Sequence, residues 1–244
     1  MIRLSLGNVG SGKTLMEVRE MMIDPSKKLT FTNIQTKIPH AKLISPQMIV
    51  KKVPLVSGRD GKMKYDLKLN VEYWKAIKEP INVVIDEAHI ILNPRRSMSK
   101  VNVVTTDWLA MIRRVLGQAE SGEGNLVLIT QLWNRLDVVA RDMATQIRYH
   151  ICKYMKRCKD CQAQWYENSE FPEPAQHCPR CLSPHIIKFN HEVEVFHFAN
   201  IDDFMEWKIS GIMNFYRHYC VSGLEQYFNM YNTLQWENMF SDMY

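Results

Sequence analysis

The sequence predicts an α/β protein: a mostly parallel sheet flanked by helices, with a small cysteine-bearing insertion and a helical C-terminal tail. Three observations carry this. Over the first 150 residues, short apolar runs of strand length alternate with helix-forming segments, the pattern of successive βα units. Two alternating segments, residues 147–151 and 191–198, lie on either side of four cysteines, as an antiparallel pair would flank an insertion. The chain has 244 residues, 46% hydrophobic and 23% charged, which suits one full domain plus an appendage and excludes disordered and fibrous classes.

The elements follow in chain order. Residues 2–6 are a buried first strand ending at Gly7, and Leu15 to Met22 are helix formers. Residues 29–34 alternate and are rich in β-branched residues, giving a second strand. Residues 35–80 are mixed, with a turn at Ser57-Gly58-Arg59-Asp60-Gly61 and a helix over 71–78. Residues 81–85 and 125–130 are apolar enough for buried strands three and four. Between them a helix is expected to start at Thr106-Asp107-Trp108, with Asp107 as its N-cap, and to run through Arg114. Residues 138–144 read as helix, and residues 202–244 as a helical tail rich in Tyr, Phe, Trp and Met. The expected division is 1–150 for the core, 151–190 for the insertion, and 191–244 for a closing strand and tail.

Charge is uneven. Residues 1–150 hold 23 Lys and Arg against 14 Asp and Glu, whereas residues 151–244 hold 8 against 12. A basic front half suits a polyanionic partner, although charge alone is equally consistent with a solvated surface. No run approaches the ~18 apolar residues of a membrane span. Met1 leads through one short strand into a glycine-rich loop, leaving no room for a signal peptide. A soluble, cytoplasmic protein is expected.

That loop, Gly7-Asn8-Val9-Gly10-Ser11-Gly12-Lys13-Thr14, has the G-x-x-x-x-G-K-[ST] spacing of a phosphate-binding loop between strand and helix. Its glycines let successive N–H groups face phosphate oxygens, and the helix N-terminus adds its positive end. Lys13 is placed to reach the β- and γ-phosphates and Thr14 to ligate Mg²⁺. The bare pattern arises by chance in roughly one chain in a hundred of this length, so a glycine turn with a solvated lysine is the poorer explanation. Asp86, ending the apolar strand 81–85, would hold Mg²⁺, and Glu87 would polarise the attacking water. Gln131, or failing it Thr130, ends the neighbouring strand where it could touch the γ-phosphate; a simple strand cap is the bland alternative. Together these motifs point to hydrolysis of a nucleoside triphosphate.

The cysteines Cys158-x₂-Cys161 and Cys178-x₂-Cys181, sixteen residues apart, fit the spacing of a Zn²⁺ ribbon. Four thiolates leave no open position, so the metal would be structural. Disulfides and an iron–sulfur centre are the rivals; His177 and His185 are read as bystanders, and Cys152 and Cys220 as core thiols. Lys153, Lys156, Arg157 and Lys159, with Tyr154 and Trp165, suit nucleic-acid contact. Glu167, Glu170 and Glu173 count against it, and protein docking or stabilisation fits as well. Residues 93–100, Asn-Pro-Arg-Arg-Ser-Met-Ser-Lys, are a basic loop that would line a pore or simply be solvated. The tail's Phe215, Tyr216, Tyr219, Tyr227, Phe228, Tyr231 and Trp236 are expected to pack on the core rather than to dock a partner.

Gly7 to Thr14, Ile85-Asp86-Glu87-Ala88-His89, and Arg113-Arg114 ahead of Ile129-Thr130-Gln131 resemble the FtsK–HerA superfamily of P-loop motors, and Phe31-Thr32-Asn33-Ile34 resembles its Zot-like and filamentous-phage assembly branch. The compact size is similar to viral genome-packaging ATPases. The resemblance covers about residues 1–150. It implies that Lys13, Thr14 and Asp86 bind phosphate and Mg²⁺, that Glu87 is the catalytic base, and that Gln131 senses the γ-phosphate. It further implies homo-oligomeric rings that use ATP to move double-stranded DNA or extrude phage, with portal, capsid or virion assembly proteins as partners. A neighbour's arginine would complete each site: Arg113 or Arg114 first, then Arg95, Arg96, Arg141 or Arg148. Two departures stand out: no membrane span follows the core, and the cysteine insertion is not general to the superfamily. A genome-packaging translocase is expected first, then a virion assembly or extrusion ATPase, then a nucleotide switch or scaffold without mechanical work.

Overall fold

Ile2–Leu6 forms β1, and every residue of it is buried. The computed structural model describes residues 1–55, 64–92, 100–118, 124–170 and 177–232. After the glycine-rich loop comes α1 (Lys13–Ile23), then β2 (Thr30–Thr32) and a short parallel edge strand, β3 (Ala41–Leu43). The mixed region 35–80 resolves into α2 (Pro46–Ile49), a separate antiparallel pair β4 (Val50–Leu55) and β5 (Lys64–Leu69), and α3 (Val71–Lys75). The expected turn at 57–61 lies outside the described residues. β6 (Asn82–Ile85), α4 (Ala88–Ile91), α5 (Lys100–Gln118), β7 (Asn125–Thr130) and α6 (Val138–Asp142) complete the parallel part. β8 (Gln146–Cys158), β9 (Gln164–Asn168), β10 (Ile186–Phe198), α7 (Ile201–Ser210) and β11 (Arg217–Val221) follow.

The sheet runs β11-β10-β8-β1-β7-β6-β2-β3, with β9 paired to β8. From β8 to β3 neighbours are parallel; β9, β10 and β11 join antiparallel. β1 is therefore central, flanked by β7 and β8, and β7 separates it from β6. Alternation splits the two faces. Leu4, Leu6, Leu126, Leu128 and Ile147 meet Trp108, Leu109 and Ile112 of α5 and Phe204 of α7. Val84, Val127 and Ile129 meet Val18 and Met21 of α1 on the other side.

The α1 face carries a buried polar cluster as well. Arg3 donates to Glu17 at 2.6 Å and Glu20 at 3.1 Å, and Arg148 pairs with Glu20. His150 and His197 lie buried beside them on β8 and β10, pushed down to about 3 and about 4 by burial. Both imidazoles are thus neutral in the folded chain, since a charge there would be stripped of water.

Several expectations need correction. Asp107 caps nothing, because α5 begins at Lys100 and Asp107 sits inside it. The third helix stops at Lys75 rather than reaching residue 78. The tail is not simply helical: α7 ends at Gly211, whose φ of 73° terminates it, and β11 then pairs with β10. A 3-10 segment, Leu224–Met230, follows, with Leu224 and Tyr227 packed against Leu15 and Met16 of α1. Cys220 is an exposed residue of β11 rather than a core thiol, whereas Cys152 is buried. Among the tail aromatics, Tyr216 and Phe228 are exposed and Tyr227 is buried; Trp236 lies outside the described residues. Among the described residues no helix is long and apolar enough to cross a membrane.

Candidate nucleotide site and cysteine centre

The parallel strands all point their C-terminal ends at one edge, and the motif residues collect there. Gly7, Gly10 and Gly12 have φ of 151°, 73° and 82°, so the loop wraps through conformations that L-residues resist. At Gly7 a Cβ would meet Ser11 Oγ at 2.5 Å and the His150 carbonyl at 2.6 Å; the loop is pressed against β8. Val9 is exposed and Ser11 buried. Lys13 turns back on the loop, its Nζ donating to the carbonyls of Gly7 (2.9 Å) and Asn8 (2.8 Å) and to Ser11 Oγ (3.2 Å). Burial lowers its pKa to about 8. These acceptors stand where phosphate oxygens would compete for the ammonium.

Thr14, in the first turn of α1, donates its hydroxyl to Asp86 Oδ2 at 2.9 Å, joining the loop to the end of β6. Asp86 Oδ1 accepts from Glu87 N–H at 2.9 Å. Burial, partly offset by Thr14, raises the Asp86 pKa. A half-buried carboxylate beside a hydroxyl is a hard-oxygen pair suited to a divalent cation, so the residues present fit Mg²⁺.

Asn33, at the tip of β2, grips Asp86 by its main chain: Oδ1 accepts from Asp86 N–H at 2.7 Å and Nδ2 donates to its carbonyl at 2.9 Å. Sequence reasoning assigned Asn33 no role. Its partner, Asp86, lies 53 positions on, and the short strand Thr30-Phe31-Thr32 ahead of it gives no local signal of that contact.

Glu87 adopts φ 49°, a left-handed conformation that costs a non-glycine residue ~1 kcal/mol or more. Its Oε1 accepts from Gln131 Nε2 at 3.0 Å, which follows from β7 lying next to β6. Its Oε2 is buried without a well-aligned hydrogen bond and lies 3.2 Å from His89 Nδ1. His89 Nδ1 is also 3.1 Å from Thr130 Oγ1, which accepts from Leu132 N–H. Burial, then the positive charge of Arg135, lowers the His89 pKa, leaving a neutral ring. The geometry thus brings Lys13, Thr14, Asp86, Glu87 and Gln131 together.

It does not bring the arginines there. Arg113 and Arg114 are exposed on α5, one turn or less before Leu116. Leu116 lies against Gly124, which leads into the start of β7, so both arginines sit toward the sheet edge opposite the phosphate loop. Arg148 is committed to Glu20 inside the fold, and Arg141 lies over the Trp133 ring at 5.6 Å. Arg95 and Arg96, with the rest of their basic loop up to residue 99, lie outside the described residues.

The four cysteine Sγ atoms lie within 4.8 Å of one another, with Cys158–Cys181 and Cys161–Cys178 each at 3.5 Å. Tetrahedral Zn²⁺ with ~2.3 Å bonds sets sulfurs about 3.8 Å apart, so the group fits. The two knuckles repeat each other. Gln162 and Leu182 each follow the second cysteine with φ of 59° and 60°, and their N–H groups bond the carbonyls of Cys158 and Cys178. His185 pairs with Asp160 at 3.2 Å and His177 is exposed, both apart from the cysteine group. Of the basic residues around the first knuckle, Lys153 pairs with Glu194 and Lys156 with Glu167, which spends two charges inside the fold. β8 runs unbroken through residue 150, so core and cysteine segment share a strand. Ser169, just past β9, accepts from Asn8 Nδ2 of the phosphate loop at 3.3 Å.

Comparison with known proteins gives a family and a few distant likenesses. The family model described as zonular occludens toxin (Zot) matches residues 1–159. The crystal structure of the N-terminal domain of zonular occludens toxin from Neisseria meningitidis is similar at 18% identity, covering 95% of this chain and 98% of that one, with TM-score 0.47. The genome packaging NTPase B204 from Sulfolobus turreted icosahedral virus 2, in complex with ATP-gammaS, is similar at 15% identity over 61% and 74%, with TM-score 0.34. No curated protein matches the chain significantly.

Proposed function

This chain belongs to the zonular occludens toxin (Zot) family, and from that premise we propose that it is a Mg²⁺-dependent ATPase that works as a ring-forming motor on viral DNA or virions. The observation that carries the proposal is the joined pair of contacts, Thr14 to Asp86 at 2.9 Å and Glu87 to Gln131 at 3.0 Å. They unite a phosphate loop, a cation-binding carboxylate, a base and a sensor at one sheet edge. Lys13 would give up its loop carbonyls for β- and γ-phosphate oxygens. Thr14 and Asp86 would hold Mg²⁺, which when bound neutralises charge on the phosphates. Glu87 would take the proton of the attacking water, and Gln131 would bond the γ-phosphate.

A first reading makes the work translocation of double-stranded DNA, as in genome packaging. A second, virion assembly or extrusion, is favoured by the family match over residues 1–159. In either, the motor acts in the cytoplasm, and the four cysteines hold a structural Zn²⁺. Because Arg113 and Arg114 lie toward the sheet edge opposite their own site, either would serve only a neighbour's.

The test is ATPase rate with and without double-stranded DNA. Glu87→Gln should lower turnover ~10²–10⁴-fold while nucleotide still binds, and Lys13→Ala should weaken binding itself. Mixing Arg113→Ala or Arg114→Ala chains with Glu87→Gln chains should restore partial activity. Hydrolysis by Glu87→Gln at the parent rate overturns the catalytic assignment; a wild-type rate indifferent to DNA removes the translocase reading.

A further inference from the structure

The two oxygens of the Glu87 carboxylate have different neighbours: Oε1 accepts a hydrogen bond from Gln131, a residue expected to engage nucleotide, whereas the buried Oε2 has the His89 ring beside it and no aligned bond. Gln131 takes Oε1 at 3.0 Å. If its amide turns to the γ-phosphate, that bond is lost, and the side chain left within hydrogen-bond distance of this carboxylate, on a backbone of φ 49°, is His89 among the described residues. The ring nitrogen Nδ1 of His89 lies 3.2 Å from the buried Oε2 and 3.1 Å from Thr130 Oγ1. A lone pair on Nδ1 would face a carboxylate oxygen, so the neutral ring carries its proton on Nδ1. That single N–H is shared: aligned on Thr130, adjacent to Glu87, and able to swing between them by a small rotation of the imidazole. Thr130 in turn is fixed by Leu132 N–H at 3.1 Å, directly after Gln131. The sensor strand and the base are thereby joined through one ring.

We propose that His89 is a positioning residue for Glu87: its Nδ1–H anchors Oε2, so that Oε1 stays aimed at the attacking water after the Gln131 amide leaves it. This rests on the ATPase reading above. In this role the residue acts through Glu87 rather than on nucleotide or water. In a wrongly aimed base, displacements near 1 Å cost about 10²-fold in rate.

The experiment measures single-turnover hydrolysis and binding of a fluorescent ATP analogue for wild type, His89→Ala, His89→Asn, Glu87→Gln and the double variant His89→Ala/Glu87→Gln. His89→Ala should lower the rate about 10- to 100-fold with nucleotide Kd unchanged within about twofold. His89→Asn, whose Nδ2–H stands where Nδ1–H did, should recover most of that loss, which a merely space-filling role would not give. In the Glu87→Gln background, His89→Ala should cost nothing more, because the residue it serves is already disabled. Should His89→Ala unfold, His89→Leu against His89→Asn makes the same comparison at closer volume. A wild-type rate in His89→Ala, equal loss in Asn and Leu, or losses that multiply in the double variant each overturn the inference and leave the ATPase reading intact. No hydrolysis by wild type, or parent-rate hydrolysis by Glu87→Gln, overturns both.

Discussion

Replacing Asn33 by alanine removes two bonds at once, Oδ1 to Asp86 N–H at 2.7 Å and Nδ2 to its carbonyl at 2.9 Å. Each is worth ~0.5–1.5 kcal/mol net. The site is only partly buried, so water replaces some of what is lost, and the middle of the range, about 2 kcal/mol in total, is expected. For a chain of this size that is a fall in Tm of about 4–8 °C. A second effect is local: with its main chain released, Asp86 no longer holds its carboxylate against Thr14, and Mg²⁺-nucleotide binding weakens. Thermal unfolding with and without Mg²⁺-ATP reads both, since nucleotide should raise the Tm of the variant by less than that of wild type. Asn33→Asp sharpens the test. It keeps an acceptor for the Asp86 N–H but sets an anionic oxygen against the Asp86 carbonyl, and should be at least as harmful as alanine. A Tm within 2 °C of wild type and an undiminished nucleotide shift in Asn33→Ala would refute the reasoning.

Metal analysis of protein purified without added zinc should find one Zn²⁺ per chain. Cys178→Ser should lower zinc content and Tm together, and zero metal with Cys158 and Cys161 freely alkylated would count against the site. Gly12→Ala should cost ~2–4 kcal/mol in denaturant unfolding, from its φ of 82° and a Cβ 2.6 Å from Val193 Cγ2. Val193→Ala in the same chain should return part of that, and simple additivity would exclude the clash. His150, held neutral with a pKa of about 3, takes up a proton in the unfolded chain below about pH 6.5 but in the folded chain only near pH 3. Unfolding therefore binds protons, and stability falls as pH drops through this window, by up to ~1.4 kcal/mol per pH unit. His150→Asn, which can still donate to the Leu6 carbonyl that His150 Nδ1 faces at 3.1 Å, should flatten Tm against pH between 6.5 and 4; an unchanged slope would assign the effect to other groups.

The parts of this site legible in the sequence are those whose chemistry is packed into a few consecutive residues. Gly7 to Thr14 is legible as a glycine-rich wrap ahead of a helix because both are local, and the two cysteine knuckles are legible for the same reason. The run 81–87 puts Asp86 at the end of a strand because the apolar run stops there. Asn33 and Ser169 were not legible, since each matters through a neighbour more than 50 positions away, and His89, though two positions from Glu87, is placed by its contact with Thr130 across the sheet. The tail was misread because Tyr, Phe and Met serve helices and strands alike. Arg217-His218-Tyr219-Cys220-Val221 becomes a strand because β10 offers it an open edge, which local propensity does not contain. Asp107 had the chemistry of a cap but not the position of one, since the helix nucleates a full two turns earlier.

The placing of β1 between β7 and β8 has a consequence for how the chain is made. Ile2–Leu6 leaves the ribosome long before its partners, residues 126–130 and 146–149. At ~5–20 residues per second, β1 waits roughly 6–30 s for both neighbours. During that interval an apolar strand and a glycine-rich loop have nothing to fold against, and pairings this remote in sequence close slowly. Translation pauses or truncations before residue 150 would leave that strand exposed to other nascent chains. Holding factors that shield β1, rather than faster elongation of α1, should therefore set the yield of folded protein.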